Sequence, residues 1–327
     1  MIPGFGLIIL IFLTGCYKPV DTSNRNEESG LFTKTIVVEG TVRRYAVYIP
    51  KGLSDSPHPL VFELHGGGIR IEDMTGESGY KTPYKLWMGL ADQNKFIVVY
   101  PEGLNGSYGK PTWNDCRANA TVSSEADDMG FIRALMNEIS SNYNINKAHI
   151  YVSGTSNGGL MALRLAVELS DKIAAVAAVA AAMPDSSECG QPQNPLSVLF
   201  MNGTNDNHLP YSGGVIGNPP DPTHGTVYST GTSVSIWVNF DGTDTIPAVY
   251  TYPDLDTDDG GNVIRYTYAN GKKGTEVVLY KVNGGGHSAP SIKERYSALF
   301  ERSFNKQNHD IEMTTEVWNF FKDKSLK

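Results

Sequence analysis

A serine at the centre of a glycine-flanked pentapeptide is the best candidate for a nucleophile. A short apolar run from residue 149 leads into Gly-Thr-Ser-Asn-Gly at 154–158, and helix formers follow. This is the G-x-S-x-G pattern of a nucleophile elbow, a sharp strand-to-helix turn that exposes Ser156. Glycines let the strand and helix pass closely, and the helix N-terminus favours developing negative charge. An ordinary glycine-rich turn has the same composition, so the pentapeptide needs support from other motifs.

Two glycine-containing loops downstream of Ser156 end in an acid and a histidine. A serine hydroxyl needs an imidazole to take its proton and an acid to orient that imidazole. In folds that carry a nucleophile elbow, the chain order is serine, acid, histidine. An apolar run at 196–201 leads to Asp206, and another at 277–282 leads through three glycines to His287. We therefore predict that Ser156, Asp206 and His287 form a catalytic triad.

The chain also contains rivals for these roles. The alternative acids are Asp185, Glu188 and Asp241. Three other histidines fit surface or capping positions, namely His208, His224 and His309, while His58 lies between prolines. Asp127 and Asp128 precede the serine at a helix start, where N-terminal capping is a sufficient explanation.

A glycine run after a buried strand could stabilise an oxyanion. His-Gly-Gly-Gly at 65–68 follows the apolar run 60–64 and matches the pattern whose backbone N–H groups bind a carbonyl oxygen in esterases. We predict that the N–H groups of Gly67 and Asn157 form the oxyanion hole, with Gly66 as an alternative donor. Loss of one such donor typically slows catalysis by about 10²–10³-fold. We also predict that His65, Trp113 and Trp237 contact substrate, although Trp237 could instead fill the core of its own segment.

The secondary-structure elements that must position these residues are predicted to alternate between strands and helices. Buried parallel strands read as short apolar runs, and the helices between them show apolar residues at threes and fours. We expect an α/β-hydrolase fold in a single domain over 31–327, with a mostly parallel sheet of about eight strands and flanking helices. Residues 212–275 do not follow this alternation. We therefore predict that they form an insertion at the C-terminal edge of the sheet that shapes the substrate entrance. The predicted strands are 32–38, 42–49, 60–64, 96–100, 150–153, 173–182, 196–201 and 276–282, and the main predicted helices are 84–93, 126–143, 157–168, 233–239 and 311–322.

The first 30 residues differ in composition from the rest. An apolar run at 7–13 is followed by Leu-Thr-Gly-Cys, which resembles a bacterial lipobox and predicts a lipoprotein signal peptide over 1–16 with lipidation at Cys16. Polar residues 17–30 fit a flexible tether. The alternatives are a plain cleaved signal or an N-terminal membrane tether. In each case the protein would be exported, and with the lipobox it would be lipid-anchored to the cell envelope.

Charge and cysteine content exclude some classes of partner. A net charge of −8 without a basic cluster argues against nucleic acid. The three cysteines form no C-x-x-C pair, so the sequence gives no support for a zinc site. In an oxidising compartment Cys116 and Cys189 could pair, and buried free thiols are the alternative.

Five segments carry motifs that belong together. They lie at 59–67, 127–132, 152–162, 203–214 and 284–287. Together they resemble the extracellular polyhydroxybutyrate depolymerase and feruloyl esterase group, including carbohydrate esterase family 1, over about residues 35–322. The resemblance implies that Ser156, Asp206 and His287 are the triad. Two departures stand out: no cysteine follows the insertion helix, and Ser-Ala-Pro rather than tryptophan follows His287.

The resemblance also implies an activity. It points to an exported serine ester hydrolase that works through an acyl-enzyme, without a metal or organic cofactor. Its expected substrates are feruloyl or acetyl esters of plant or algal polysaccharides, and polyhydroxyalkanoate depolymerisation is the alternative. The expected partners are therefore an ester-bearing polymer or oligomer and, through the lipid, a membrane. A non-catalytic carbohydrate-binding lipoprotein is the alternative of another class, which the intact motifs disfavour.

Overall fold

One mixed sheet of ten strands organises residues 29–327, the part of the chain that the computed structural model describes. The strand order is β1-β2-β4-β3-β5-β6-β7-β12-β11-β10, and a separate two-stranded sheet pairs β8 with β9. The six strands from β4 to β12 in that order run parallel, and the strands outside them are antiparallel. The strands are β1 Gly30–Val38, β2 Thr41–Ile49, β3 His58–Leu64, β4 Ile97–Pro101, β5 Ile145–Thr155, β6 Ala175–Val179, β7 Ser197–Gly203, β8 Gly214–Val215, β9 Thr226–Val227, β10 Ala248–Thr251, β11 Asn262–Tyr268 and β12 Val277–Asn283.

Helices cover both faces of the sheet. They are α1 Ile71–Thr75, α2 Leu86–Asn94, α3 Asp128–Asn142, α4 Asn157–Glu168, α5 Thr230–Asp241, α6 Ala298–Phe304 and α7 Met313–Phe321. Neighbouring residues of β5 point into different layers, because side chains alternate along a strand. Val152 packs in the layer that contains α3, α4 and α5, whereas Tyr151 packs in the layer that contains α2 and α7.

The predicted α/β-hydrolase fold is confirmed, but the expected number of strands was too low. The insertion 212–275 contributes β10 and β11, which join the main sheet beyond β12. All four residues of β10 are exposed. This strand therefore lacks the buried apolar run from which the central strands can be predicted. The insertion therefore has two parts: residues 248–268 extend the sheet, and residues around 216–224 lie beside the cavity described below.

The parallel strands bring the predicted site residues to one edge. The carboxyl ends of parallel strands meet on the same side of a sheet. His65 follows β3, Ser156 follows β5, Asp206 lies three residues beyond β7, and His287 lies four residues beyond β12. Side chains far apart in the chain are thereby placed in adjacent loops.

The N-terminal predictions lie outside the described residues. The signal peptide of residues 1–16, the lipidation site Cys16 and nearly all of the predicted tether 17–30 precede residue 29. Among the helices of residues 29–327, none has the length and apolar character needed to cross a membrane.

Candidate active site

Ser156 lies at the tip of a strained turn between β5 and α4. Its φ is 57° and its ψ is −125°, a conformation that non-glycine residues rarely adopt. A Cβ atom at Gly154 would collide with the carbonyl group of Gly158, and one at Gly158 would collide with the carbonyl group of Leu64. The two flanking glycines are therefore required by close approach of the strand, the helix and β3.

A hydrogen-bonded chain joins the three predicted residues. His287 Nε2 lies 2.8 Å from Ser156 Oγ, and His287 Nδ1 lies 2.7 Å from Asp206 Oδ2. The other oxygen of Asp206 accepts hydrogen bonds of 2.8 Å from the backbone N–H groups of His208 and Leu209. Because a carboxylate can only accept, it selects the imidazole tautomer with the proton on Nδ1. The free Nε2 can then take the serine proton.

Two of the residues predicted to supply oxyanion donors line the cavity beside Ser156. Gly67 and Asn157 both line it, as does Gly66. Within residues 29–327, neither the Gly67 N–H nor the Asn157 N–H donates to a backbone carbonyl group. The Asn157 N–H also belongs to the first turn of α4, where the helix dipole favours an anion. These groups can bind the oxygen of a tetrahedral intermediate.

One segment, residues 111–117, connects the two donor loops, and we call it the bridging segment. The Trp113 N–H donates to Asn157 Oδ1 at 2.7 Å, and Asn157 Nδ2 donates to Asp115 Oδ2 at 2.7 Å. Trp113 Nε1 donates to the carbonyl oxygen of His65 at 2.9 Å. Cys116 is joined to Cys189 by a disulfide. The elbow and the glycine loop are thus held to a common, covalently anchored support.

The three predicted substrate contacts are buried and do not line the cavity. His65, Trp113 and Trp237 each have no exposed side-chain surface. His65 Nε2 accepts from the Gly103 N–H at 2.9 Å, and burial lowers the pKa of His65 to about 4, so this imidazole is neutral. Trp237 packs edge-to-face on Phe240, 6.0 Å between ring centroids, in the core beneath α5. His65 and Trp113 therefore support the glycine loop, and Trp237 fills the core.

The rival acids lie elsewhere. Asp185 accepts from the Thr226 hydroxyl, and Asp241 accepts from the Leu196 N–H at 3.2 Å. Asp127 caps α3 as expected, whereas Asp128 goes beyond capping and forms a buried ion pair with Arg43. Within residues 29–327 no group of three or more His, Cys, Asp or Glu side chains is placed to hold a metal ion.

A cavity of about 790 Å³ opens above Ser156, and much of its wall was not expected from the sequence. His208, assigned above to the surface, lies with its ring centroid 5.4 Å from that of His287. Burial, reinforced by His287, lowers the pKa of His208 to about 4. Phe300 and Phe304 of the unpredicted helix α6 also line the cavity. Their spacing of four residues is the signal that could have identified an aromatic helix face.

Comparison with known proteins bears on the family of the chain. The sequence model of the family described as Esterase PHB depolymerase matches residues 43–187. The putative esterase NocK of Nocardia uniformis subsp. tsuyamanensis is 32% identical over 269 residues, covering 79% of this chain and 73% of NocK. The chain belongs to the PHB depolymerase esterase family. It is a carboxylic ester hydrolase, and the family resemblance seen in its motifs is confirmed.

Two further relatives are larger proteins. The bifunctional acetylxylan esterase/xylanase XynS20E of Neocallimastix patriciarum is 27% identical over 77% of this chain and 32% of its own length. Feruloyl esterase B of Piromyces equi is 30% identical over 75% of this chain and 42% of its own length. This chain thus spans less than half of either protein.

Solved structures show the same fold. The acetyl xylan esterase from Aspergillus awamori superposes with a TM-score of 0.50 and 17% identity, covering 80% of this chain and 95% of that one. A thermostable esterase gives a TM-score of 0.50 and 13% identity, covering 90% of this chain and 63% of that one. At these identities the likeness concerns the fold alone.

Proposed function

We propose that the protein hydrolyses carboxylic esters through Ser156, His287 and Asp206 by way of an acyl-enzyme. The observation that carries the proposal is the continuous hydrogen-bonded chain from Asp206 through His287 to Ser156 at the base of the cavity. His287 Nε2 takes the serine proton as Oγ attacks the ester carbonyl carbon. The N–H groups of Gly67 and Asn157 hold the resulting oxyanion, and Asp206 stabilises the imidazolium.

The second half of the cycle reuses the same groups. The protonated His287 donates its proton to the leaving alcohol, which departs and leaves the acyl group on Ser156. Water then enters, His287 takes one of its protons, and the hydroxide attacks the acyl carbon. Collapse of this intermediate returns the proton to Ser156 and releases the carboxylic acid.

The proposed substrates are feruloyl or acetyl esters carried by plant or algal polysaccharides. Relatives named feruloyl esterase and acetylxylan esterase support this choice. The volume of the cavity, about 790 Å³, is large enough for an acyl group together with part of its alcohol. Polyhydroxyalkanoate depolymerisation is the second candidate, and the description of the matching family model favours it.

A substrate panel tests these candidates. Methyl ferulate, acetylated xylan and hydroxybutyrate oligomers should be compared with wild type and with Ser156→Ala as the matched control. Release of ferulate or acetate by wild type alone supports the polysaccharide esterase. Release of hydroxybutyrate alone supports the depolymerase, and equal rates for wild type and Ser156→Ala would contradict the proposed mechanism.

We further propose that the protein is exported and anchored by lipid at Cys16. The lipobox-like sequence at 13–16 motivates this proposal. With a bacterial host, the full-length wild type should incorporate a palmitate analogue and sediment with membranes, whereas Cys16→Ala should do neither. Equal labelling and sedimentation of the two proteins would overturn the assignment.

A further inference from the structure

The C-terminal end of helix α6 lies against the loop that carries the catalytic base, residues 284–288, which we call the histidine loop. The His287 N–H donates to the carbonyl oxygen of Phe304 at 2.7 Å, and the neighbouring Gly286 N–H donates to that of Lys306 at the same distance. A Cβ atom at Gly286 would collide with the Phe304 carbonyl oxygen. The backbone of the histidine loop is therefore packed directly on the backbone that ends the helix.

Asn305, the residue between those two carbonyl groups, reaches a second loop. This is the acid loop, residues 204–209. Asn305 Nδ2 donates at 2.7 Å to the carbonyl oxygen of Asn205, the residue before Asp206. The Asn205 N–H in turn donates at 2.9 Å to the carbonyl oxygen of Gly285 in the histidine loop. Asn205 is thus held on its N–H side by the histidine loop and on its carbonyl side by Asn305.

The backbone of Asn305 is strained. Its φ is 62° and its ψ is 179°, which lies at the edge of a region that only glycine occupies readily. Residues in such conformations persist where the surrounding structure fixes them, and they concentrate at active sites. Glycine would adopt this conformation without a Cβ penalty, but it could not make the hydrogen bond to the acid loop. The asparagine side chain therefore offsets a backbone cost through a contact that only a side chain can supply.

This contact bears on the geometry of the triad. His287 Nδ1 lies 2.7 Å from Asp206 Oδ2, and the two residues belong to different loops. The distance between them therefore depends on how firmly the two loops are held together. Asn305 joins them, because its flanking carbonyl groups bind the histidine loop and its amide binds the acid loop.

We propose that Asn305 is a positioning residue that fixes the acid loop against the histidine loop, an inference that rests on the proposed triad. Without its amide, the Asp206 carboxylate would spend less time in the position that orients the His287 imidazole. Proton transfer to and from His287 would then slow. Substrate binding would be unaffected, since Asn305 does not line the cavity.

Asn305→Gly tests the side chain without straining the backbone. With 4-nitrophenyl acetate we expect kcat to fall about tenfold and KM to change less than about twofold. Asn305→Asp keeps the size of the side chain but loses the N–H donors, so its kcat should fall at least as far.

The matched control is Asn144→Gly. Asn144 Nδ2 likewise donates to a backbone carbonyl oxygen, that of Asp55, at 2.6 Å. Asn144 lies just before β5, at the opposite edge of the sheet from Ser156. The same change made there should keep the wild-type kcat. Equal losses of kcat in Asn305→Gly and Asn144→Gly would overturn the positioning role.

An NMR signal separates positioning from a general loss of structure. In wild type the proton between His287 Nδ1 and Asp206 should give a far-downfield resonance that is absent from Asp206→Asn. In Asn305→Gly this resonance should broaden, because the less firmly held proton exchanges faster with water, whereas in Asn144→Gly it should stay sharp. An unchanged resonance together with an unchanged kcat in Asn305→Gly would contradict the proposal.

Labelling by a serine-directed fluorophosphonate distinguishes failure of this inference from failure of the proposed function. Ser156 of Asn305→Gly should be labelled about tenfold more slowly than that of wild type. Labelling at the wild-type rate would overturn the role of Asn305 and leave the triad intact. Folded wild type that stays unlabelled would overturn the triad and the role of Asn305 with it.

Discussion

Asp206 has hydrogen bonds on both carboxylate oxygens. Oδ2 lies 2.7 Å from His287 Nδ1, and Oδ1 accepts two backbone N–H groups. Replacing it with asparagine would keep one acceptor for those N–H groups. The amide would also favour the imidazole tautomer with its proton on Nε2, which cannot accept the serine proton.

Asp206→Asn should therefore fold and yet lose most activity. We expect kcat to fall by about 10⁴-fold. Asp185→Asn is the matched control, because Asp185 is an exposed rival acid that pairs with Thr226 and should be dispensable for catalysis. Comparable activity of the two variants would contradict the assignment of Asp206.

Glu63 is a buried carboxyl group on β3 that the proposed mechanism does not use. Trp87 Nε1 donates to its Oε2 at 2.7 Å, and burial raises the pKa of Glu63 from 4.5 to about 8. The folded protein thus holds this proton more tightly than the unfolded chain does. The resulting stabilisation is full below about pH 4.5, and it is lost as the pH rises toward about 8.

Glu63→Gln should remove this pH dependence. The free energy of unfolding of wild type minus that of the variant should fall by on the order of 1 kcal/mol per pH unit between about pH 5 and pH 8. Urea denaturation at several pH values measures this difference, in which other titrating groups cancel. A difference that stays constant across the range would show that Glu63 ionises normally.

At the scale of elements, the bridging segment 111–117 links the disulfide to the oxyanion donors. Cys116 adjoins Asp115, whose carboxylate binds the Asn157 side chain, and the disulfide closes a loop with a sequence separation of 73 residues. Loop-closure entropy for that length corresponds to about 4 kcal/mol of stabilisation. The same cross-link also holds the segment that positions Asn157.

The double variant Cys116→Ser/Cys189→Ser should lose both stability and rate. We expect a decrease of about 2–4 kcal/mol in unfolding free energy. We also expect kcat to fall about tenfold as the donors lose their support, with KM less affected. Denaturant titration and steady-state kinetics measure the two effects. Alkylation of Cys116 and Cys189 in denatured, unreduced wild type would show instead that the disulfide does not form.

Elements that bury an apolar face could be predicted from the sequence, and exposed elements could not. The helix predicted at 126–143 is α3, and the run at 60–64 lies within β3. Helix α6 was missed because its aromatic residues face the cavity rather than the core. No bounds could be given for the exposed strand β10 for a related reason, since its stability comes from pairing with β11.

Some site residues could likewise be predicted from the sequence, and others could not. Ser156, Asp206 and His287 could be proposed because each follows a strand and a loop that contains glycine, a local pattern. The substrate contacts could not, because whether Trp113 or Phe300 faces the cavity depends on packing between distant segments. His208 illustrates this limit: two residues from Asp206 in sequence, it is placed against His287 by loops from two strands.

At the scale of the whole molecule, the parallel sheet brings residues that are far apart in the chain to one reaction centre. Three residues separated by 50 and 81 positions converge because β5, β7 and β12 end on the same edge. The hairpin of β10 and β11 extends the sheet beyond β12, and its strand residues do not line the cavity. The central claim is that these three residues make Ser156 a nucleophile.

A serine-directed fluorophosphonate, followed by intact-protein mass spectrometry and peptide mapping, tests that claim most directly. The account predicts one equivalent of label on Ser156 in wild type, with loss of ester hydrolysis in proportion to labelling. It predicts no label on Ser156→Ala and greatly slowed labelling of His287→Ala. Folded wild-type protein that hydrolyses esters while Ser156 stays unlabelled would contradict the account.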